Sequence, residues 1–406
     1  MNERGASRRP RIDERELRLH AALVACVLVM FAVLSLVGAG SPAHFRKPTF
    51  PDVAQFYAGA RMVAAGDVGL LYVPREFLRV LAASVPWTHE TLFPPVYPAH
   101  LYAAFVPLTW VPYGTAAILF TASSIAVYAV AVRMFTAPAA GRATLRWLAC
   151  ASPALLHVIM SGQLSTLALA TLALAWRAWR GRRMFNVGLC LASLAWKPPL
   201  LLFGVIAFAI RPSLPLALGG ALALAVHAAL FTIVGGLSAW PSYGTVLVRV
   251  SSSPEMMFAK TYQLYSLKGA LELLLPRGPV MFTLLAVLIA VTLALAIFIG
   301  RRSRDQRYAF AAMVVCGLLV SPHVYVYDML LASAALFLIG QAALEHGVRA
   351  RSDVAAYLLL WSPLLLPLIE VTRIQVGVVC ALAWLVWKAR ETAAADSGSP
   401  DVATNP

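Results

Sequence analysis

Long apolar runs recur along this chain from about residue 20 to beyond residue 380, and most are separated by short stretches rich in arginine. A bilayer interior offers no water to exposed backbone N–H and C=O groups, so each run must satisfy its own hydrogen bonds as a helix. Of the 406 residues, 60% are hydrophobic and 13% are charged. Soluble domains carry roughly a quarter charged residues. The chain is therefore expected to be an all-α polytopic membrane protein, and strands are excluded.

Charge gives the expected orientation. Arginine outnumbers lysine 28 to 5 and dominates a net charge of +15. Arginine clusters between apolar runs mark cytoplasmic loops. No basic stripe with interleaved aromatics lies outside those loops, so the charge speaks for anionic lipid headgroups rather than nucleic acid. The five cysteines, Cys26, Cys150, Cys190, Cys316 and Cys380, all sit inside apolar runs without metal-ligand spacing and read as small core residues. No Walker sequence, Gly-rich phosphate loop or metal motif appears, which argues against a nucleotide-driven pump.

Residues 1–18 hold six arginines and four acids and read as a cytoplasmic tail. Residues 19–390 form a single membrane domain, opened by a retained signal-anchor span over residues 20–40. The first outer loop, 41–92, is patterned like an amphipathic helix lying on the membrane, from Asp52 through Phe56, Tyr57 and Ala60 to Val63. Between Tyr97 and Phe135 two apolar stretches are separated at Pro107 to Pro112. If both cross, Arg133, Arg142 and Arg146 fall outside, so either one stretch is short and interfacial or these arginines break the charge rule. Residues 184–211 form a helical hairpin with Lys197-Pro198-Pro199 at its tip, because arms of about 13 residues rise only ~20 Å. A second outer loop covers 235–262, and the tail 391–406 is predicted to be disordered. The count is roughly 11 to 13 crossings.

This topology gathers polar residues from separate parts of the sequence onto one face: Asp52, Gln163, Lys197, Lys260, His323 and Asp328, with Tyr57, Arg249 and Tyr327 beside them. Each also has a plain structural explanation. Asp52 follows Pro51 as a helix N-cap would, Lys197 can snorkel to the interface, and Gln163, His323 and Asp328 can serve as caps. The functional reading is that a lysine inside an apolar hairpin requires an anionic partner, for which a phosphate is suited. A lipid or glycolipid transporter is the alternative, since intramembrane Lys and Asp also mark substrate paths, although no internal repeat is visible.

Taken in order, Asp52, Tyr57, Gly66, Leu71-Tyr72, Phe93-Pro94-Pro95, Pro107-Leu108 with Pro112, Gly162-Gln163, Lys197-Pro198 and Ser321-Pro322-His323 closely resemble glycosyltransferase family 87. The resemblance spans residues 15–390. It implies a GT-C membrane fold in a bacterial plasma membrane and transfer of a hexose, mannose in the family pattern, from a polyprenyl-phosphate-sugar donor. The acceptor is a lipid or glycan on the extracytoplasmic side, and Asp52 is the general base. Lys197, His323, Gln163, Tyr57, Arg249, Lys260, Tyr327 and Asp328 are then expected to bind the donor phosphate or substrate. The turn Pro322-His323-Val324-Tyr325-Val326-Tyr327-Asp328 departs from the Ser/Trp/His-rich form of the actinobacterial phosphatidylinositol mannosyltransferases and leaves the acceptor unspecified. The first outer loop has no Asp-X-Asp, so no cofactor and no divalent ion is expected.

Overall fold

A computed structural model describes residues 13–38, 51–85, 94–136, 141–252, 260–346 and 351–397. Most of the N-terminal tail, Phe93, Ser253, Glu255, Arg349 and the end of the C-terminal tail lie outside the described residues. The described residues are helical and contain no strand, only an isolated bridge between Leu264 and Tyr325.

The helix α1 (Glu14–Gly38) is long, apolar and mostly exposed along its sides. After it come α2 (Pro51–Ala64), α3 (Pro74–Ser84), α4 (Ala99–Ala104) and α5 (Tyr113–Thr136). The expectation of a surface-lying helix from Asp52 onward is corrected for α2, which is buried on every side from Val53 to Ala60. Loop hydrogen bonds draw it in: Gln55 Nε2 donates to the Pro94 carbonyl, and Tyr57 Oη donates to the Val111 carbonyl at 2.9 Å. By contrast α3 is amphipathic, burying Phe77 and Leu81 while Arg75 and Arg79 stay exposed.

The six residues of α4 rise about 9 Å, far short of the ~30 Å hydrocarbon core. Among the described residues between Tyr97 and Arg142 only α5 is long and apolar enough to cross, so the first apolar stretch is the short one. The helices α6 (Arg142–Cys150) and α7 (Pro153–Ser161) follow as one path bent by 45°. Thr144 at the start of α6 donates to Glu14 at the start of α1, 2.8 Å away. Arg142 and Arg146 therefore lie at the same membrane face as the start of α1, as the charge rule requires.

From there α8 (Ser165–Arg180) leads to the hairpin of α9 (Met184–Ala192) and α10 (Leu202–Ile210). Two 3-10 turns, Ser193–Trp196 and Pro198–Leu201, flank Lys197 at its tip. Pro198 and Pro199 have no N–H to donate, so α9 cannot continue through them. The hairpin packs on α11 (Leu214–Gly235) with almost no separation, because a Cβ at Gly188 or Gly219 would collide with the carbonyl oxygen of Leu216 or Phe185. Such small-residue contacts let membrane helices approach backbone to backbone.

The second half comprises α12 (Ala239–Ser252), α13 (Leu267–Leu274), α14 (Pro279–Arg302), α15 (Gln306–Val320), α16 (Ala332–His346), α17 (Arg351–Trp361), α18 (Leu366–Thr372) and α19 (Val376–Ser397). The core runs through α15, which is buried on all faces from Ala309 to Leu319, the signature of an apolar helix surrounded by others.

Six described helical segments are long and apolar enough to cross a membrane, or seven if the bent α6–α7 path is one span, and three shorter apolar helices accompany them. At the arginine-bearing face the cations are tied to the body. Arg211 stacks over Trp179 at 4.4 Å, Arg301 donates to the Ala209 carbonyl at 2.7 Å, and Arg307 pairs with Asp305 and Glu345.

Candidate active site

Asp52 occupies the first turn of α2, where the helix dipole favours a carboxylate. The end of α7 comes directly against it. Gly162 ends α7 with φ +75° and is in such close contact that a Cβ there would run into Val53. The left-handed turn and the missing side chain are both needed for α7 to stop beside α2. Gln163 then projects between them. Its side chain hydrogen-bonds the Asp52 carboxyl, and its Oε1 accepts from Tyr97 Oη at 3.2 Å. Gln163 and Tyr97 are both buried.

A second carboxylate lies nearby. Asp328, on the 3-10 turn Val326–Leu331, accepts from Lys197 Nζ at 2.5 and 2.7 Å through its two oxygens. Ser165 Oγ donates to Oδ1 at 3.1 Å and the Tyr325 backbone N–H to Oδ2 at 3.2 Å. The Lys197 ammonium also sits over the Tyr327 ring, 5.1 Å from its centre. The anionic partner that a hairpin lysine requires is thus a residue of this chain. The Asp328 side chain is 2% exposed and that of Lys197 14%, so neither charge is left without compensation in the apolar interior.

The two carboxylates feel one another. Burial pushes the Asp52 pKa up to about 7, Asp328 adds to the rise, and the Gln163 hydrogen bond and the Lys197 charge oppose it. Asp52 as a residue is half-buried and keeps a partly open surface. Burial and the charges of Asp52 and Asp328 hold the Tyr97 phenol well above its usual range, so it is a neutral donor. Burial, with Lys268 and Lys197, lowers His323 to about 4 against the pull of Asp328. At neutral pH His323 is therefore an uncharged hydrogen-bonding group.

Of the residues expected at the site, the structure gathers Asp52, Gln163, Lys197, Tyr327 and Asp328, with His323 close enough to sense Lys197 and Asp328. Tyr57 is turned away, its hydroxyl held by Val111 and its ring edge-on to Tyr113. Arg249 is exposed on α12, and Lys260 faces Glu370 at 3.9 Å and the Tyr262 ring at 5.5 Å. Tyr97, Ser165 and Lys268 were not singled out from the sequence. The available signals were faint: Tyr97 stands in the Pro-Pro-Val-Tyr-Pro re-entry and Ser165 begins the helix two residues past Gln163. Among the described residues no group of three or more His, Cys, Asp or Glu side chains could hold a metal ion.

A family model described as glycosyltransferase family 87 matches residues 96–322, more than half of the chain. The match takes in Tyr97, Gln163, Ser165 and Lys197 and stops short of Asp52, His323 and Asp328. Comparisons with curated proteins and with solved structures find no match.

Proposed function

Because the chain belongs to glycosyltransferase family 87, we propose that it moves a hexose, with mannose the expected sugar, from a polyprenyl-phosphate-sugar donor to a lipid or glycan hydroxyl at the outer face of the membrane. The observation that carries this reading is Asp52: a carboxyl with a pKa raised to about 7, close to the working pH as an effective general base requires. The acceptor oxygen attacks the anomeric carbon and its proton passes to Asp52. The bond from that carbon to the donor's phosphate oxygen breaks, and the lipid phosphate leaves with the electron pair. Attack from the side opposite the leaving group inverts the anomeric centre.

Lys197 is the cation nearest the chemistry. Two of its contacts go to Asp328; an ammonium has three N–H donors, and the third serves the leaving phosphate. Tyr97, Gln163 and neutral His323 supply hydrogen bonds to the sugar or phosphate. The arginine clusters at the other end of the helices support placing this chamber on the extracytoplasmic side. We read the whole as a GT-C arrangement of 11 to 13 membrane-embedded passes, with α8, α15, α19 and the two short arms of the hairpin adding to the six long segments.

The test is incubation of the purified protein with labelled polyprenyl-phosphate mannose and a membrane lipid extract. A glycosylated product is expected from the wild type and none from Asp52→Asn. Product formation by that variant at the wild-type rate removes Asp52 as the base. Movement of labelled lipid across liposomes with no new covalent product would instead make the protein a transporter.

A further inference from the structure

At the arginine-bearing end, a cavity of about 310 Å³ lies between α1, α6, α16 and α17. Its lining is chiefly apolar, with Leu148, Leu336, Phe337, Leu344 and Leu360 among the walls, and Leu17, Thr144 and Asp353 at one end. An apolar cavity half that size, at ~150 Å³, stays dry and takes apolar guests. Three of the walls, α1, α16 and α17, belong to segments long and apolar enough to cross a membrane, and α6 to the bent α6–α7 path. At one end the cavity is closed by Leu17 of α1, a helix fixed to the rest chiefly through α6 and α7 that buries little more than Ala21, Ala25 and Leu28. A guest entering past α1 comes from the bilayer. The Leu17–Thr144 end lies where α1 and α6 begin, joined by the bond from Thr144 to Glu14, and α17 begins beside it. Arg142, Arg146 and Arg351 are exposed near the starts of α6 and α17, at the same end, and among the lining residues Asp353 alone is charged.

We propose that this cavity is a phospholipid site: one acyl chain of a phospholipid from the arginine-side leaflet fills it, and the headgroup phosphate meets Arg142, Arg146 and Arg351. The apolar lining matches an acyl chain, and the exposed arginines near the helix starts at that end match a phosphate. The site lies at the opposite end of the helices from Asp52 and does not depend on the proposed sugar transfer. The bound chain fills a gap that packing of α1 leaves open, so it serves as part of the interior.

The test is photolabelling of the full-length protein in nanodiscs with phosphatidylglycerol carrying a diazirine midway along one acyl chain, followed by peptide mapping. Label is expected in residues 142–152 and 333–344, competed by unlabelled phosphatidylglycerol and not by polyprenyl phosphate. Filling the cavity with Ala356→Phe, or with Ala343→Phe if the first variant does not insert, should cut that label by roughly tenfold, equivalent to about 1.4 kcal/mol. Retained sugar transfer or an unchanged unfolding temperature certifies the variant's fold. Label spread evenly over the lipid-facing helices, label indifferent to both fillers, or competition by polyprenyl phosphate alone would each overturn the proposal.

Discussion

Asp52 and Asp328 approach one chamber from opposite halves of the chain, yet their surroundings differ in kind. Asp328 accepts four hydrogen bonds from three groups, two of them from the ammonium of Lys197. Asp52 is met by the uncharged Gln163 side chain and feels Lys197 only at a distance. A carboxylate with a charged partner and a full set of donors is fixed in place, with its oxygens occupied. One without such a partner sits near its titration point and can take a proton. The same residue type thus closes the hairpin in one place and is available for chemistry in the other.

The largest expected effect is at Asp52. Asp52→Asn should lower the transfer rate about 10²- to 10⁴-fold, the range of a lost general base, measured as initial rates with labelled donor. The fold should not suffer. A carboxyl raised from 3.8 to about 7 favours the folded state while neutral, and that advantage is lost as pH rises from about 4 through 7. Above pH 7 the asparagine variant should unfold at the same or a higher temperature than wild type; a lower one would mean that Asp52 holds a structural contact after all.

Next comes the ion pair. Lys197→Met leaves Asp328 buried without its cation and should cost about 3 to 5 kcal/mol, read by thermal unfolding in detergent. Adding Asp328→Leu should recover most of that stability while activity stays absent. If the double variant is no more stable than the single one, the pair is not what holds the hairpin tip.

A smaller effect separates the carboxylates by pH. The logarithm of the rate should climb with pH up to about 7 and level off above it, because only ionised Asp52 accepts the proton. Gln163 stabilises that ionised form, so Gln163→Leu should move the midpoint upward. A midpoint that stays put would remove Gln163 from Asp52. Smallest is Tyr97→Phe, which deletes the donor to Gln163 and should cost about 1 kcal/mol in stability, with a correspondingly modest loss of rate.

Much of this site was legible in the residues. Proline and glycine announced the breaks that bring Gln163 and Lys197 to helix ends, and the apolar runs placed both on the face that holds Asp52. The first outer loop misled because its helical spacing fits a membrane surface and an interior alike. Its burial from Val53 to Ala60 and the bonds from Gln55 and Tyr57 to residues 94 and 111 reveal α2 as interior. Lys260 and Arg249 were carried along by their loop, although a shared membrane face does not bring two side chains together.

What the sequence by itself determined is the helical membrane character, the clustering of arginines between the apolar runs and the breaks at Gly162 and at Pro198-Pro199. These are sums over neighbouring residues, set by dehydration of the backbone and by local dihedral limits. What only the tertiary structure decided is which charge meets which. Lys197 and Asp328 stand 131 positions apart, and whether that lysine faced a phosphate or a carboxylate of its own chain depended on how distant helices pack, down to the bare contact of Gly188 and Gly219 with the backbone opposite.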